Sequence, residues 1–124
     1  MSKNVLIVED DEIIQKILEW RVNLLGYSVC GKATTSDEAI ACVREKKPDV
    51  VLMDIDLKGY IDGIDAAVAI KKMHQIPVIF LTASSTEKEL ERAKMVPADG
   101  FIVKPFNDTD LKVALTFALA NSPR

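Results

Sequence analysis

Five short apolar runs recur along the chain and alternate with segments of helical periodicity. Three of the runs are continuous rather than alternating, which is typical of parallel strands covered on both faces. The predicted strands are 4–8, 27–33, 49–53, 77–81 and 100–103. The predicted helices are 11–25, 36–46, 62–73, 86–95 and 108–120. Five β-α units without a repeat or linker predict one doubly wound α/β domain over residues 1–124.

Residues that cap helices stand near the predicted helix starts. Ser36 is expected to cap the second helix, and Thr86 with Glu89 forms a capping-box pattern for the fourth. Asn107 or Asp108 is expected to cap the last helix. These signals agree with the helix boundaries that the periodicity predicts.

Composition excludes several classes of protein. With 124 residues the chain can bury a core, and a net charge of −3 offers no basic surface for nucleic acid or membrane lipid. No apolar stretch approaches the roughly 20 residues that span a bilayer. Cys30 and Cys42 match no metal-ligand spacing and are expected to be reduced. We therefore expect a cytoplasmic protein without direct nucleic-acid or membrane partners.

The first predicted helix carries more apolar surface than a helix lying on a sheet usually needs. Two adjacent stripes run along it. The first consists of Ile13, Ile17, Trp20 and Leu24, and the second of Ile14, Leu18 and Leu25. Two interpretations remain open: either most of this surface is core with a partly exposed rim, or the rim docks a partner helix.

Acidic residues follow two of the predicted strands. Glu9 and Asp10 follow the first strand, and Asp54 follows the third. The carboxyl ends of parallel strands meet at one edge of a sheet, so these carboxylates are expected to lie close together. Carboxylates at close range resist ionising together unless a cation lies among them, and hard oxygen ligands suit Mg²⁺ or Mn²⁺. The pattern predicts a metal-assisted phosphate site.

Polar residues also follow the fourth and fifth predicted strands. Thr82 and Ala83 follow one, and Lys104 follows the other. Taken singly, such residues have simpler explanations, because Asp11 could cap a helix, Thr82 could close a turn and Lys104 could be a solvated lysine. Matching groups at four strand ends favour a shared site instead.

The chemistry suggests a role for each acid. Asp54, alone at the end of a central strand, is expected to accept a phosphoryl group. Asp10 is expected to bind the metal directly and Glu9 through a water molecule, with the backbone carbonyl of Asp56 completing the shell.

The other polar groups suit a bound phosphoryl group. Lys104 is expected to pair with Asp54 at rest and with a phosphate oxygen after transfer. The Thr82 hydroxyl and the Ala83 amide are expected to donate to the remaining phosphate oxygens. Phosphoryl transfer needs little beyond this positioning and charge neutralisation.

With these motifs, residues 3–120 strongly resemble the receiver domain of two-component response regulators. The resemblance rests on four segments in the family's order: Leu6-Ile7-Val8-Glu9-Asp10-Asp11, Val50-Val51-Leu52-Met53-Asp54, Leu81-Thr82-Ala83 and Val103-Lys104-Pro105-Phe106. It implies a flavodoxin-like parallel sheet with strand order 2-1-3-4-5, flanked by five helices. It also implies a cis peptide bond between Lys104 and Pro105.

The resemblance also implies a phosphorylation switch rather than a dedicated enzyme. Asp54 would be the phosphoacceptor, Glu9 and Asp10 the acidic metal pair, Thr82 the switch hydroxyl and Lys104 the essential lysine. The donor would be a phosphohistidine on a sensor kinase or phosphotransfer protein.

Phe101 stands at the family's switch-aromatic position and lacks the hydroxyl of the commoner tyrosine. Its inward movement would change the face made by the fourth predicted helix (86–95), the fifth strand and the fifth predicted helix (108–120). That face would control an effector or output domain, or form a homodimer. The alternative is that Phe101 is a plain edge-strand core residue in both states.

The loop after Asp54 departs from the family pattern. Lys58 stands where proline is common, and Gly63 comes about one residue later than the family's glycine. Asp56 and Ser84 stand at two positions where family members tune dephosphorylation. The loop therefore bears on the access of partners, and the phosphoryl lifetime does not follow from these residues.

Three other functions compete with this one. A haloacid-dehalogenase-like phosphatase would share the Asp54-Ile55-Asp56 start but would place its nucleophile strand first. A flavin-binding electron carrier would need a Ser/Thr-Gly phosphate loop after the first strand, where acids stand. A phosphorylation-independent binding module with a receiver fold remains a further alternative. We expect no output domain within residues 1–124, so the chain is a stand-alone receiver or one domain of a longer protein.

Overall fold

The computed structural model of the chain describes residues 3–55, 57, 62–82, 91, 94 and 99–120. The strands are β1 (Asn4–Val8), β2 (Ser28–Ala33), β3 (Val50–Asp54), β4 (Val78–Thr82) and β5 (Gly100–Val103). The helices are α1 (Glu12–Leu24), α2 (Ser36–Lys46), α3 (Gly63–Met73) and α4 (Asp108–Ala120). Helix α4 is the fifth predicted helix. The fourth, at 86–95, lies outside the described residues apart from positions 91 and 94, as do the capping residues Thr86 and Glu89.

The five strands form one parallel sheet in the order β2-β1-β3-β4-β5. Every residue of β3 and β4 is buried, whereas the edge strands β2 and β5 are only partly buried. Continuous apolar sequence thus marks the central strands, because both of their faces are covered by helices. The predicted doubly wound α/β fold and its strand order are confirmed.

The two faces of the sheet pack against different helices. On one face, α2 and α3 bury side chains such as Val43 and Ile70 against Leu6 and Phe80. On the other face, α1 and α4 bury a second set, which includes Leu18, Val22, Leu111 and Leu115. No helix among the described residues is long and apolar enough to cross a membrane.

Helix α1 divides its apolar residues between core and solvent. Leu18 and Val22 are fully buried. The first stripe is exposed: the exposed fraction is 72% for Ile13, 63% for Trp20 and 64% for Leu24. Because these side chains are exposed, they contribute little to the stability of the fold.

The helix caps differ from prediction at one position. Thr35, not Ser36, caps α2: its hydroxyl accepts a hydrogen bond of 3.2 Å from the Glu38 amide, and its backbone is extended. Ser36 is instead the first helical residue and is fully buried. At α4 the cap is Asn107, whose side chain accepts from the Asp110 amide at 2.8 Å.

Candidate functional site

The pairing of β1 with β3 brings three carboxylates together. Val8 lies beside Met53 in the sheet, so the residues that follow β1 lie next to Asp54 at the end of β3. One carboxylate oxygen each from Glu9, Asp10 and Asp54 lies within 4.8 Å of the others. The acids predicted to cluster therefore do so, at the carboxyl edge of the sheet.

Glu9 is a buried acid of this cluster. Its side chain is almost completely buried, and its Oε2 has no hydrogen-bond partner among the described residues. Burial, followed by the proximity of Asp54, raises the pKa of Glu9 to about 8, against the lowering effect of Lys104. Two neighbouring carboxylates in a buried site resist being charged together, and a bound cation would relieve that repulsion.

Lys104 supplies positive charge to the same cluster. Its Nζ donates to Glu9 Oε1 at 2.8 Å and lies 3.6 Å from Asp54 Oδ2. Burial lowers the pKa of Lys104, but the hydrogen bond to Glu9 and the charge of Asp54 outweigh it and raise the pKa overall. The lysine was expected to pair with Asp54, and its shorter contact is with Glu9 instead.

Backbone hydrogen bonds fix the ends of β3, β4 and β5 relative to one another. The Ile55 amide donates to Leu81 O at 2.9 Å, and the Lys104 amide donates to Thr82 O at 2.7 Å. Thr82 is fully buried as the last residue of β4. The peptide bond between Lys104 and Pro105 is cis, as the resemblance implies. The sheet thus holds the threonine and the lysine beside the acidic cluster.

The residues present fit a divalent cation such as Mg²⁺. All three candidate ligands are carboxylates, which are the hard oxygen donors that this ion prefers. The buried and unpartnered Glu9 Oε2 is a further sign, because a buried acceptor normally has a partner. Two predicted contributors, the Asp56 carbonyl and the Ala83 amide, lie outside the described residues.

Gly63 is a site residue whose role the sequence did not reveal. A side-chain Cβ at this position would overlap the carbonyl oxygen of Asp54 and lie 2.9 Å from Ile55 Cα. The Gly63 amide also donates to Ile55 O at 3.0 Å. The start of α3 therefore packs directly on the backbone that carries Asp54, which only a glycine allows.

Phe101 lies in β5 beside Phe80 of β4. It is half-buried and packs against the core cluster that α2 and α3 cover. An open groove lies between β5 and α4 and is lined by Phe101, Val103, Asp110 and Val113, among others. The Phe101 side chain thus contacts the core and also lines a surface groove.

Comparison with known proteins gives a consistent family assignment. The family model described as "Response regulator receiver domain" matches residues 5–116 of the chain. The transcriptional regulatory protein PdtaR of Mycobacterium tuberculosis is 36% identical over 120 residues, which cover 97% of this chain and 58% of that protein. The chain therefore spans little more than half the length of these curated relatives.

Solved structures agree with this assignment. The signal receiver domain of a modulated diguanylate cyclase from Desulfovibrio desulfuricans G20 superposes with a TM-score of 0.91 at 32% identity, covering 97% of this chain and 95% of that one. The PhyR receiver domain of Erythrobacter litoralis has a TM-score of 0.87 at 34% identity, with 99% and 94% covered. Receiver domains of this kind are signalling switches rather than dedicated enzymes. With the family model matching most of its length, the chain belongs to the response regulator receiver domain family.

Proposed function

We propose that this domain switches a partner by accepting a phosphoryl group on Asp54 in a Mg²⁺-dependent reaction. The observation that carries the proposal is the convergence of Glu9, Asp10 and Asp54 around one point, with the Lys104 ammonium beside them. Such a cluster combines a nucleophilic carboxylate with the means to neutralise charge, which is what phosphoryl transfer requires.

The transfer step is a displacement at phosphorus. An Asp54 carboxylate oxygen forms a bond to phosphorus while the bond from phosphorus to the donor breaks. With a phosphohistidine donor the leaving group is imidazole, and with acetyl phosphate it is acetate. Asp10, Asp54 and the Asp56 carbonyl would hold Mg²⁺ directly, and Glu9 would hold it through water. The bound ion would supply positive charge that neutralises the phosphate oxygens.

The chain's own residues would stabilise the product. Lys104 lies within reach of both Glu9 and Asp54, so it can turn from the carboxylates to a phosphate oxygen with a small movement. The Thr82 hydroxyl and the Ala83 amide would donate to the remaining oxygens. Thr82 lies at the end of β4, and its backbone is bonded to that of Lys104.

Movement of Thr82 toward the phosphate would be passed to Phe101 in the neighbouring strand. Phe101 is half-buried, which is consistent with a side chain that packs inward in one state and outward in another. The groove between β5 and α4 borders it and carries the exposed Val113, while Phe117 of α4 is also exposed. We propose that this face, with residues 86–95, binds an effector, an output domain or a second copy of the domain.

The phosphodonor would dock along α1. The exposed residues Ile13, Ile17, Trp20 and Leu24 are spaced four, three and four apart, which is the spacing of a helix-pairing seam. Helix α1 begins two residues after Asp10, so a partner helix lying on this seam would end close to the acidic cluster. The occupant proposed is a helix of a sensor histidine kinase or phosphotransfer protein, in the cytoplasm.

Incubation with acetyl phosphate tests this function without a partner protein. Intact-mass analysis should show the gain of one phosphoryl group in the presence of Mg²⁺ and none after chelation. An absence of any gain in the wild type, together with no binding of Mg²⁺ in a calorimetric titration, would overturn the proposal.

A further inference from the structure

Gln15 is a buried polar side chain outside the acidic cluster. It lies in the first turns of α1, and only 7% of its surface is exposed. Its position three residues before Leu18 and seven before Val22 puts it on the buried face of the helix. A buried amide group destabilises the fold unless it is hydrogen-bonded. The hydrogen-bond partners of Gln15 therefore indicate its structural role.

Both partners of the Gln15 amide are backbone carbonyls at the edge of the sheet. Gln15 Nε2 donates to Glu9 O at 3.2 Å and to Ala33 O at 3.0 Å. Ala33 O also accepts from the Glu9 amide at 3.0 Å. One side chain thus joins α1 to the carboxyl ends of β1 and β2.

The carbonyl that Gln15 holds belongs to the peptide between Glu9 and Asp10. Rotation of that peptide would change the backbone angles on either side of it and so redirect both carboxylates. Glu9 N is held by β2, but its carbonyl oxygen points to Gln15 rather than to a strand neighbour. The orientation of the acidic pair therefore depends on this side chain.

The turn from β1 to α1 is fixed on its other side as well. The Asp11 side chain accepts from the amides of Ile13 and Ile14, and Asp11 O accepts from the Gln15 amide at 2.9 Å. These hydrogen bonds hold the start of α1 in place, and the Gln15 side chain links it to Glu9 O. We propose that Gln15 is a positioning residue for the metal site, holding the Glu9–Asp10 peptide so that both carboxylates face the cation.

This inference rests on the proposed function, since it assumes that the cluster binds Mg²⁺. Gln15→Met keeps the length and helix propensity of the side chain but removes its donor. Groups that orient metal ligands typically change affinity by 10- to 100-fold, and we expect about a tenfold loss here because Gln15 acts through the backbone. Gln15→Ala provides a second variant should the first fail to fold.

The matched control is Val22→Ala. Val22 is fully buried in the same helix, about 10 Å further along it at 1.5 Å per residue, and it touches the core rather than the acidic cluster. Thermal unfolding of the metal-free proteins shows how far each substitution destabilises the fold. A merely structural role for Gln15 would predict that variants of equal stability bind Mg²⁺ equally well.

The deciding experiment is a calorimetric Mg²⁺ titration of the wild type and the three variants, with phosphorylation by acetyl phosphate at saturating Mg²⁺ alongside. We expect weaker binding only in the Gln15 variants. The rate should stay within about twofold of the wild type once the metal is saturating, because Asp54, Thr82 and Lys104 stand at the ends of β3, β4 and β5 rather than on α1. Wild-type affinity in Gln15→Met or Gln15→Ala would overturn the inference alone. No Mg²⁺ binding by the wild type would overturn the proposed function, and the inference with it.

Discussion

The ammonium of Lys104 donates to Glu9 Oε1 at 2.8 Å and lies farther, at 3.6 Å, from Asp54 Oδ2. The shorter contact of the lysine is thus with Glu9, the buried acid that follows β1, and the longer one is with the proposed phosphoacceptor. We expect phosphorylation to draw Lys104 from Glu9 toward the new phosphate.

Removal of the Lys104 charge should strengthen Mg²⁺ binding while slowing phosphorylation. Lys104→Met removes a cation that repels Mg²⁺ at close range, and we expect an affinity gain of about tenfold, or ~1.4 kcal/mol. Calorimetric titration measures the affinity, and acetyl phosphate measures the rate. Lys32→Met is the control, because Lys32 pairs with Glu19 on the surface. Weaker Mg²⁺ binding in Lys104→Met would contradict this assignment of the charge.

The raised pKa of Glu9 predicts how the stability of the metal-free protein changes with pH. An unfolded Glu releases its proton near its ordinary pKa of 4.5, whereas folded Glu9 keeps it until about pH 8. Between these values the folded state binds more protons, so its stability falls as the pH rises. We expect a loss on the order of 1–3 kcal/mol between pH 5 and 8 that is absent in Glu9→Gln. Denaturant unfolding across this range measures it.

The affinity for Mg²⁺ should rise with pH, in contrast to the stability of the metal-free protein. The cation favours the ionised carboxylates, so its affinity is expected to increase from pH 6 to pH 8 in the wild type. Glu9→Gln should lose most of that increase. An affinity independent of pH in the wild type would show that Glu9 does not gain a charge on metal binding.

Gly63→Ala should destabilise the protein and disturb the site together. The new methyl group would overlap the Asp54 carbonyl oxygen, so α3 or the end of β3 must shift. We expect a loss of about 1–3 kcal/mol in the free energy of unfolding, together with weaker Mg²⁺ binding. Gly31→Ala is the control, since its Cβ would make an ordinary contact of 3.4 Å with Leu6 Cδ1. Equal stability of the two variants would contradict the close approach of α3 to β3.

Trp20→Gln should slow phosphotransfer from a protein donor but not from acetyl phosphate. The side chain is 63% exposed, so the substitution is expected to change stability by less than about 0.5 kcal/mol. Phosphotransfer from a histidine kinase that phosphorylates the wild type should become about tenfold slower, because tryptophan is among the residues that most often contribute a large share of the binding energy at an interface. The rate with acetyl phosphate should stay the same. Slowing of both reactions, or of neither, would exclude α1 as the docking surface.

Much of this fold could be predicted from the sequence because its signals are local. Continuous apolar runs marked the central strands, and acids after Val8 and Met53 marked the edge where β1 and β3 end side by side. The predicted helix bounds of α2 and α4 match those observed. Each of these features depends on neighbours within one turn or one strand.

The remaining features depend on contacts between segments distant in sequence. The preference of Lys104 for Glu9 over Asp54 is decided by distances between residues at the ends of β1, β3 and β5. The need for glycine at position 63 comes from a helix end that packs on β3. Gln15 did carry a signal, because it is a polar residue at helical spacing from Leu18 and Val22, but its carbonyl partners emerge only in three dimensions.

The central claim, that Asp54 is the phosphoacceptor, is tested most directly by locating the phosphoryl group. After incubation with acetyl phosphate and Mg²⁺, peptide mapping by mass spectrometry is applied to the wild type, Asp54→Asn and Asp49→Asn. Asp49 precedes the same strand at the opposite edge of the sheet, where its side chain accepts from the Asn4 amide. We predict phosphorylation on Asp54 in the wild type and in Asp49→Asn, and none in Asp54→Asn. A phosphoryl group that persists in Asp54→Asn would contradict the claim.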